Sequence, residues 1–220
     1  MTPFWIQEHE VTNGEYLEFL NDPAVLARVD AALAEGRFIL YPRSVRQNGS
    51  VGGFWLRTDG GRFVLPPDWG PDLPVMTMTL EDARDYARWR SERDGRTYAL
   101  PTRLEFQAAA YGSSQFAYPF GDSFRPKWVS SRTARETYRG FDPVMSFPVD
   151  ESGAGVYDLS GSVTEMIEWD GSRGTRGMSV GGSALRGVVW EFAMTSLHPR
   201  NPDVAGGDCG FRLIFRRDER

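Results

Sequence analysis

Apolar and polar positions divide the chain into two unlike halves. Before Gly112 the apolar residues recur every third or fourth position, as on one helix face; after it they come in short runs cut by Gly, Pro, Ser and Asp. Thr12 followed by Glu15 is a capping box, in which the hydroxyl accepts a free first-turn amide and the carboxylate reaches back to the cap. It predicts a helix through Tyr16, Leu17, Phe19 and Leu20. Pro23 opens a second helix through Val25, Leu26, Val29 and Leu33, stopped at Gly36. The run Phe38 to Tyr41 predicts a strand, and Phe54 to Arg57 with Arg62 to Leu65, flanking Thr58-Asp59-Gly60-Gly61, predicts a hairpin. Thr79 and Asp82 cap a third helix whose face is Leu80, Ala83, Tyr86, Ala87 and Arg90, with Gly95 as its end. Thr102 and Glu105 start a fourth, carrying Leu104, Phe106 and Ala108 to Ala110. Trp69 within Pro66 to Pro71 predicts a packed loop. From Gly112 onward the pattern predicts a β region rich in loops. The fold class is therefore α+β, one compact, loop-rich domain over residues 1–220.

Composition narrows the function more than the fold. The chain is 40% hydrophobic and 25% charged, ordinary for a globular protein. A chain of this size buries roughly 70% of its unfolded surface. No apolar run nears the ~18–20 residues of a membrane span, and the opening Met1-Thr2-Pro3-Phe4-Trp5-Ile6 reads as strand and not as a signal peptide. The expectation is a bacterial cytoplasmic protein with no membrane partner. A net charge of −5 speaks against a nucleic-acid partner, which binds through cationic surface. Lys127 is the only lysine among 25 basic residues, and the arginines are interleaved with acids. Cys209 stands alone, so neither an internal disulfide nor a multi-cysteine zinc site can form. A nucleophile elbow and a phosphate-binding glycine loop are both missing.

Several blocks carry a resemblance. Glu10-Val11-Thr12-Asn13-Gly14-Glu15-Tyr16 resembles EVTN-x-EY; Leu73-Pro74-Val75 through Asp82-Ala83-Arg84-Asp85-Tyr86-Ala87-Arg88-Trp89 resembles PV…DA-x-x-YA-x-W. Asp94-Gly95-Arg96-Thr97-Tyr98-Ala99-Leu100-Pro101-Thr102 resembles RDG-x-x-YRLPT, and Tyr118-Pro119-Phe120-Gly121-Asp122 resembles YPWGD. Gly155 to Glu165 is similar to GLYDM-x-GNVWE, Val180-Gly181-Gly182-Ser183 to RGGS, and Gly210-Phe211-Arg212-Leu213 to GFRL. By these blocks, in order over residues 4 to 216, the chain resembles the formylglycine-generating enzyme (sulfatase-modifying factor) family. The resemblance implies a variant of the C-type lectin fold. An extra glycine-rich strand that usually precedes the position of Phe4 is not in this sequence, implying a shortened member or a piece of a longer protein.

The resemblance also implies chemistry that these residues depart from. The family's oxidase binds Cu(I) through two cysteines shortly after RGGS, because soft thiolates suit that ion. Here the stretch is Ala184-Leu185-Arg186-Gly187-Val188-Val189-Trp190-Glu191-Phe192, and the cysteine pair falls near Arg186 and Glu191. Relatives with iron hold it through three histidines, whereas this chain has two, His9 and His198. The GNVWE turn implies a calcium site at Ser162 and Glu165, weakened because Ser162 replaces an asparagine. Arg103, Phe106 and Gln107 replace the Glu, Trp and Glu of LPTE-x-EWE. The expectation leans away from an enzyme, with no catalytic residues, no metal ligands and no cofactor beyond that calcium.

What remains is the loop face after Gly181-Gly182-Ser183, which the family architecture makes a substrate groove and related retroelement-diversified proteins use for ligand binding. Arg186, Trp190, Glu191, Phe192, Met194, His198 and Arg200 are the candidate ligand-binding residues there, since Trp, Phe, Met and Arg are enriched at interfaces. Alternation of Val188, Trp190 and Phe192 equally predicts one face of a buried strand. The partner is a protein or small molecule. Tyr41-Pro42-Arg43, Leu65 to Trp69 and Asp150 to Asp158 are similar to domains fused behind bacterial serine/threonine kinases, implying a kinase domain in the same polypeptide. An enzyme of altered oxidative chemistry and a lectin-like carbohydrate binder stay open as alternatives.

Overall fold

Four helices form where side chains can start them. A computed structural model describes residues 2–45, 51–53, 55–112, 114, 116–134, 140–169, 177–194 and 196–216. Helix α1 (Asn13–Leu20) begins at Thr12, whose Oγ1 accepts the Glu15 N–H while Glu15 Oε2 accepts the Thr12 N–H at 3.0 Å. Helix α2 (Pro23–Ala34) begins at Asp22, whose carboxylate accepts the N–H groups of Ala24 and Val25. Pro23 costs nothing there because a first-turn N–H has no helical partner to lose. Boxes at Thr79/Asp82 and Thr102/Glu105 start α3 (Leu80–Asp94) and α4 (Arg103–Tyr111). Gly95 closes α3 at φ 64°, a left-handed conformation that a residue without Cβ adopts freely.

The strands are short: β1 (Phe4–Ile6), β2 (Arg43–Val45), β3 (Val51–Gly53), β4 (Leu56–Arg57), β5 (Phe63–Val64), β6 (Tyr98–Ala99), β7 (Thr164–Ile167), β8 (Gly177–Val180), β9 (Leu197–Arg200), β10 (Cys209–Gly210) and β11 (Ile214–Arg216). They pair as β1-β11-β6, as β10-β7-β8-β9, and as the two hairpins β2-β3 and β4-β5. The first sheet brings the two ends of the chain together. Its register aligns Trp5, Phe215 and Tyr98 across three strands, with ring centroids 6.0 and 5.7 Å apart.

Two expectations fail locally. Phe38 to Tyr41 is not a strand: Leu40 has φ 68°, and its N–H donates to Asp82 Oδ1 at 2.8 Å. Burial of Leu40 and Tyr41 is met by packing on the main core, so no strand neighbour is needed. In α4, Leu104 and Ala108 face solvent and the core face is Phe106, Ala109 and Ala110. The expected hairpin forms at β4-β5, with Phe54 outside the described residues, and Trp69 packs against the core as a packed loop requires.

The main core joins the helical half to the chain's end: Tyr16 and Tyr86 meet Phe211 with ring centroids 6.2 and 5.5 Å apart, and Phe19 packs on both tyrosines at 5.1 and 5.5 Å. Beside it lies the fully buried Arg212. Its guanidinium donates to both oxygens of Glu165 (2.6 and 2.7 Å) and to the backbone carbonyls of Gln7, Glu8 and Tyr157. One cation thus ties β7, the segment after β1 and the turn at Tyr157 to the chain end. Glu10 is also fully buried, its oxygens without hydrogen bonds and 3.9 Å from Arg212. Burial and the neighbouring Asp158 push Glu10 well above the usual carboxylate range. Burial likewise raises Asp158 to about 6, and raises Asp150, whose carboxylate accepts the Ser160 N–H.

Candidate functional site

The loop face is built at the end of β8. Gly181 turns the chain at φ 79°, and Gly182 passes so close to its neighbours that a Cβ would sit 2.1 Å from the Ser160 carbonyl oxygen. Ser183 is buried and serves the turn: its Oγ accepts the Leu185 N–H and its carbonyl accepts the Arg186 N–H. The chain then rises into a 3₁₀ turn, Val189–Phe192, and returns through β9.

This route separates the candidate residues. Phe192 and Met194 point inward with 0% exposure, Phe192 stacking on Phe124 with centroids 4.9 Å apart. They support the loop and are not accessible to a ligand. Trp190 points outward at 67% exposure, flanked in sequence by exposed Val188 and Val189, with Leu185 exposed nearby. Alternation does not mark a strand here, because a 3₁₀ turn of three residues per turn places Trp190 and Phe192 on different sides.

Arg186, Glu191 and Arg200 are brought together by a residue that sequence reasoning missed. Arg186 Nη1 lies 2.7 Å from Glu191 Oε1, and its Nε lies 3.3 Å from Asp208 Oδ2. Asp208 also accepts from Arg200 at 2.9 Å, and Arg200 continues to Ser179 Oγ and Thr164 Oγ1. Against burial that would raise it, Arg200 and Arg186 hold Asp208 below the usual carboxylate range. Burial opposes the charge of Arg186 too, and Glu191 and Asp208 overcome it, leaving Arg186 more firmly protonated. The only sequence cue to Asp208 was its place just before Cys209-Gly210-Phe211-Arg212. His198, half-buried, shares a hydrogen bond with the Gly181 carbonyl at 2.9 Å, and burial pushes its pKa down.

The donor set does not suit copper. A guanidinium cannot ligate a cation, and a carboxylate already paired with it is a hard oxygen donor where Cu(I) takes soft sulfur. Cys209 is buried in β10, and burial lifts its thiol further from the thiolate. Among the described residues no group of three or more His, Cys, Asp or Glu side chains is arranged to hold a metal ion. Ser162 adopts φ 64° with its Oγ buried and unpartnered, while Glu165 spends both oxygens on Arg212.

A cleft of about 460 Å³ lies between α2 and α3, lined by none of the loop-face residues. Its cations are neutralised in place, Arg28 and Arg88 by Asp85 and Arg93 by Glu18. The loop face is the better candidate because its apolar side chains are uncovered.

Four capped helices with short sheets, and an irregular C-terminal half held by buried glycine turns, define a single C-type-lectin-like domain of the formylglycine-generating type. Residues 1–217 match the Sulfatase-modifying factor enzyme 1-like domain, and the chain belongs to that family. It is 27% identical over 243 residues to the inactive C-alpha-formylglycine-generating enzyme 2 of Bos taurus, covering 96% of this chain and 76% of the relative. It is 25% identical over 249 residues to the formylglycine-generating enzyme of Bos taurus, covering 95% of this chain and 64% of that enzyme. The solved structure of PvdO from Pseudomonas aeruginosa shares the fold, with a TM-score of 0.72 at 20% identity over 98% of this chain and 81% of PvdO. No helix among the described residues is long and apolar enough to cross a membrane.

Proposed function

We propose that this chain is a non-catalytic binding or regulatory domain that offers its C-terminal loop face to a protein or small-molecule partner. The observation that carries the reading is the 2.7 Å ion pair between Arg186 and Glu191. By motif order these residues fall near the positions where the family's oxidases keep their copper-binding cysteines. An ion pair there closes the loop mechanically and offers no soft ligand. Outside the pair the same loop exposes Trp190, Val188 and Val189, and Trp is prominent among residues that dominate interface energetics. Similarity to a relative that is itself named inactive supports the same reading. Resemblance of Tyr41 to Arg43, Leu65 to Trp69 and Asp150 to Asp158 to domains fused behind bacterial serine/threonine kinases supports a sensor role in such a protein.

The direct test is oxidation of a cysteine-containing sulfatase peptide by copper-treated protein under oxygen. The thiol is expected to survive; aldehyde captured by a hydrazide reagent would overturn the reading. The kinase part is tested separately by the coding sequence upstream of Phe4, where the lack of a kinase domain would remove it.

A further inference from the structure

We infer that the loop face takes an acidic, apolar segment of a partner protein, held by a basic and aromatic patch beside Trp190. This inference rests on the binding reading of that face and names its partner's chemistry.

The chain carries a net charge of −5, yet segments 116–134 and 184–194 hold Arg125, Lys127, Arg132 and Arg186 against only Asp122 and Glu191. Both carboxylates are engaged already: Glu191 pairs with Arg186, and Asp122 Oδ1 accepts the Ala117 N–H at 3.0 Å. Arg125, Lys127 and Arg132 are exposed and have no carboxylate partner among the described residues. The exposed arginines of α2 and α3 differ, since Arg28, Arg88 and Arg93 all have carboxylates within 3.1 Å. Three exposed cations without a carboxylate partner among the described residues, the only lysine among them, therefore lie within residues 125–132.

The cations and the apolar loop belong to one packed unit. Arg125 lies over the Trp128 ring at 5.9 Å, and Trp128, 41% exposed, packs edge-on against Phe120 at 5.4 Å. Phe120 stacks on Tyr118, whose hydroxyl donates to the Val189 carbonyl at 3.2 Å. Segment 116–134, which carries these cations, thus packs through Tyr118 against the loop that exposes Trp190, Val188 and Val189. A ligand that satisfies both needs carboxylates for the cations and aliphatic or aromatic side chains for the loop. A basic partner would meet repulsion. An uncharged one would leave the cations unused.

The test uses the 220-residue chain and two labelled, blocked peptides, one alternating glutamate with leucine and one alternating glutamine with leucine, followed by fluorescence anisotropy. The glutamate peptide is expected to bind ~10-fold or more tightly than its twin, and to weaken when salt is raised, because exposed charges are screened. The pair Arg125→Glu with Lys127→Glu is expected to weaken it by ~10-fold, and Trp190→Ala by a further several-fold, with circular dichroism confirming that each variant folds. Equal binding of both peptides, or none, overturns the inference. If Trp190→Ala weakens both peptides alike while the charge reversals do nothing, the acidic partner is wrong and the binding face stands. If only the charge reversals act, the patch binds elsewhere and the loop-face reading fails with it. Equal binding of a single-stranded oligonucleotide would show an affinity for polyanions in general and also overturns the proposal.

Discussion

Arg212 and Arg186 each hold two carboxylates in reach, yet they sit in opposite settings. Arg212 has 0% side-chain exposure and meets Glu165 and Glu10 in a site closed to solvent. Arg186 keeps 27% exposure and meets Glu191 and Asp208 at the rim of a loop. The first organises the scaffold, because its guanidinium also accounts for three backbone carbonyls from distant segments. The second fixes a six-residue loop whose apolar side chains look outward. The same ionic chemistry is structural where water is excluded and presentational where it is not.

Removing each cation is the sharpest way to separate them. Arg212→Met leaves Glu165 buried without its counter-charge, and is expected to cost ~3–5 kcal/mol in urea denaturation. For a domain of this length that lowers Tm by roughly 6–20 °C. A loss under about 1 kcal/mol would mean the buried cluster adapts to the missing cation, and the contrast would fail.

Acidity probes the same cluster from the other side. Burial raises Asp158 to about 6 and lifts Glu10 in the same direction, so both acids take up a proton more readily in the folded chain than in the unfolded one. A raised acid pKa means the folded state binds more protons than the unfolded one. Its stability contribution is complete below the unfolded value near 4 and fades as pH rises through the folded value. Stability is therefore expected to fall by ~2–3 kcal/mol between about pH 4 and 7, read by denaturation at fixed salt. Glu10→Gln is expected to flatten that slope; an unchanged slope would assign the pH dependence to other groups.

Smaller changes are expected at the loop. Arg186→Met with Glu191→Met is expected to cost ~1 kcal/mol or less, as partly exposed ion pairs do, while weakening partner binding far more than stability. A large stability loss would move Arg186 into the same class as Arg212. Least of all, calcium is expected to shift Tm by under about 1 °C, because Glu165 is committed to Arg212. A clear calcium-dependent rise would show that Ser162 and Glu165 bind the ion after all.

The helical half was legible because its signals are local. Thr12 with Glu15, Thr79 with Asp82 and Thr102 with Glu105 each satisfy first-turn amides from within four residues, so the pattern alone names the helix start. Leu40 was misread for the opposite reason: its amide partner, Asp82, lies 42 residues away. At the site, Arg186 and Glu191 were identified one by one, but nothing in the sequence told which of Trp190 and Phe192 would face solvent.

By itself, then, the order of residues determined the helix caps, the glycine turns, the family and the lack of a thiol pair, all of which depend on identity and short spacing. Only the tertiary structure decided that Arg186 would meet Glu191 and Asp208, that Met194 would be buried, and that Trp190 would face solvent. Those outcomes depend on which distant segments exclude water from one another, and pairing, exposure and pKa all follow from that exclusion.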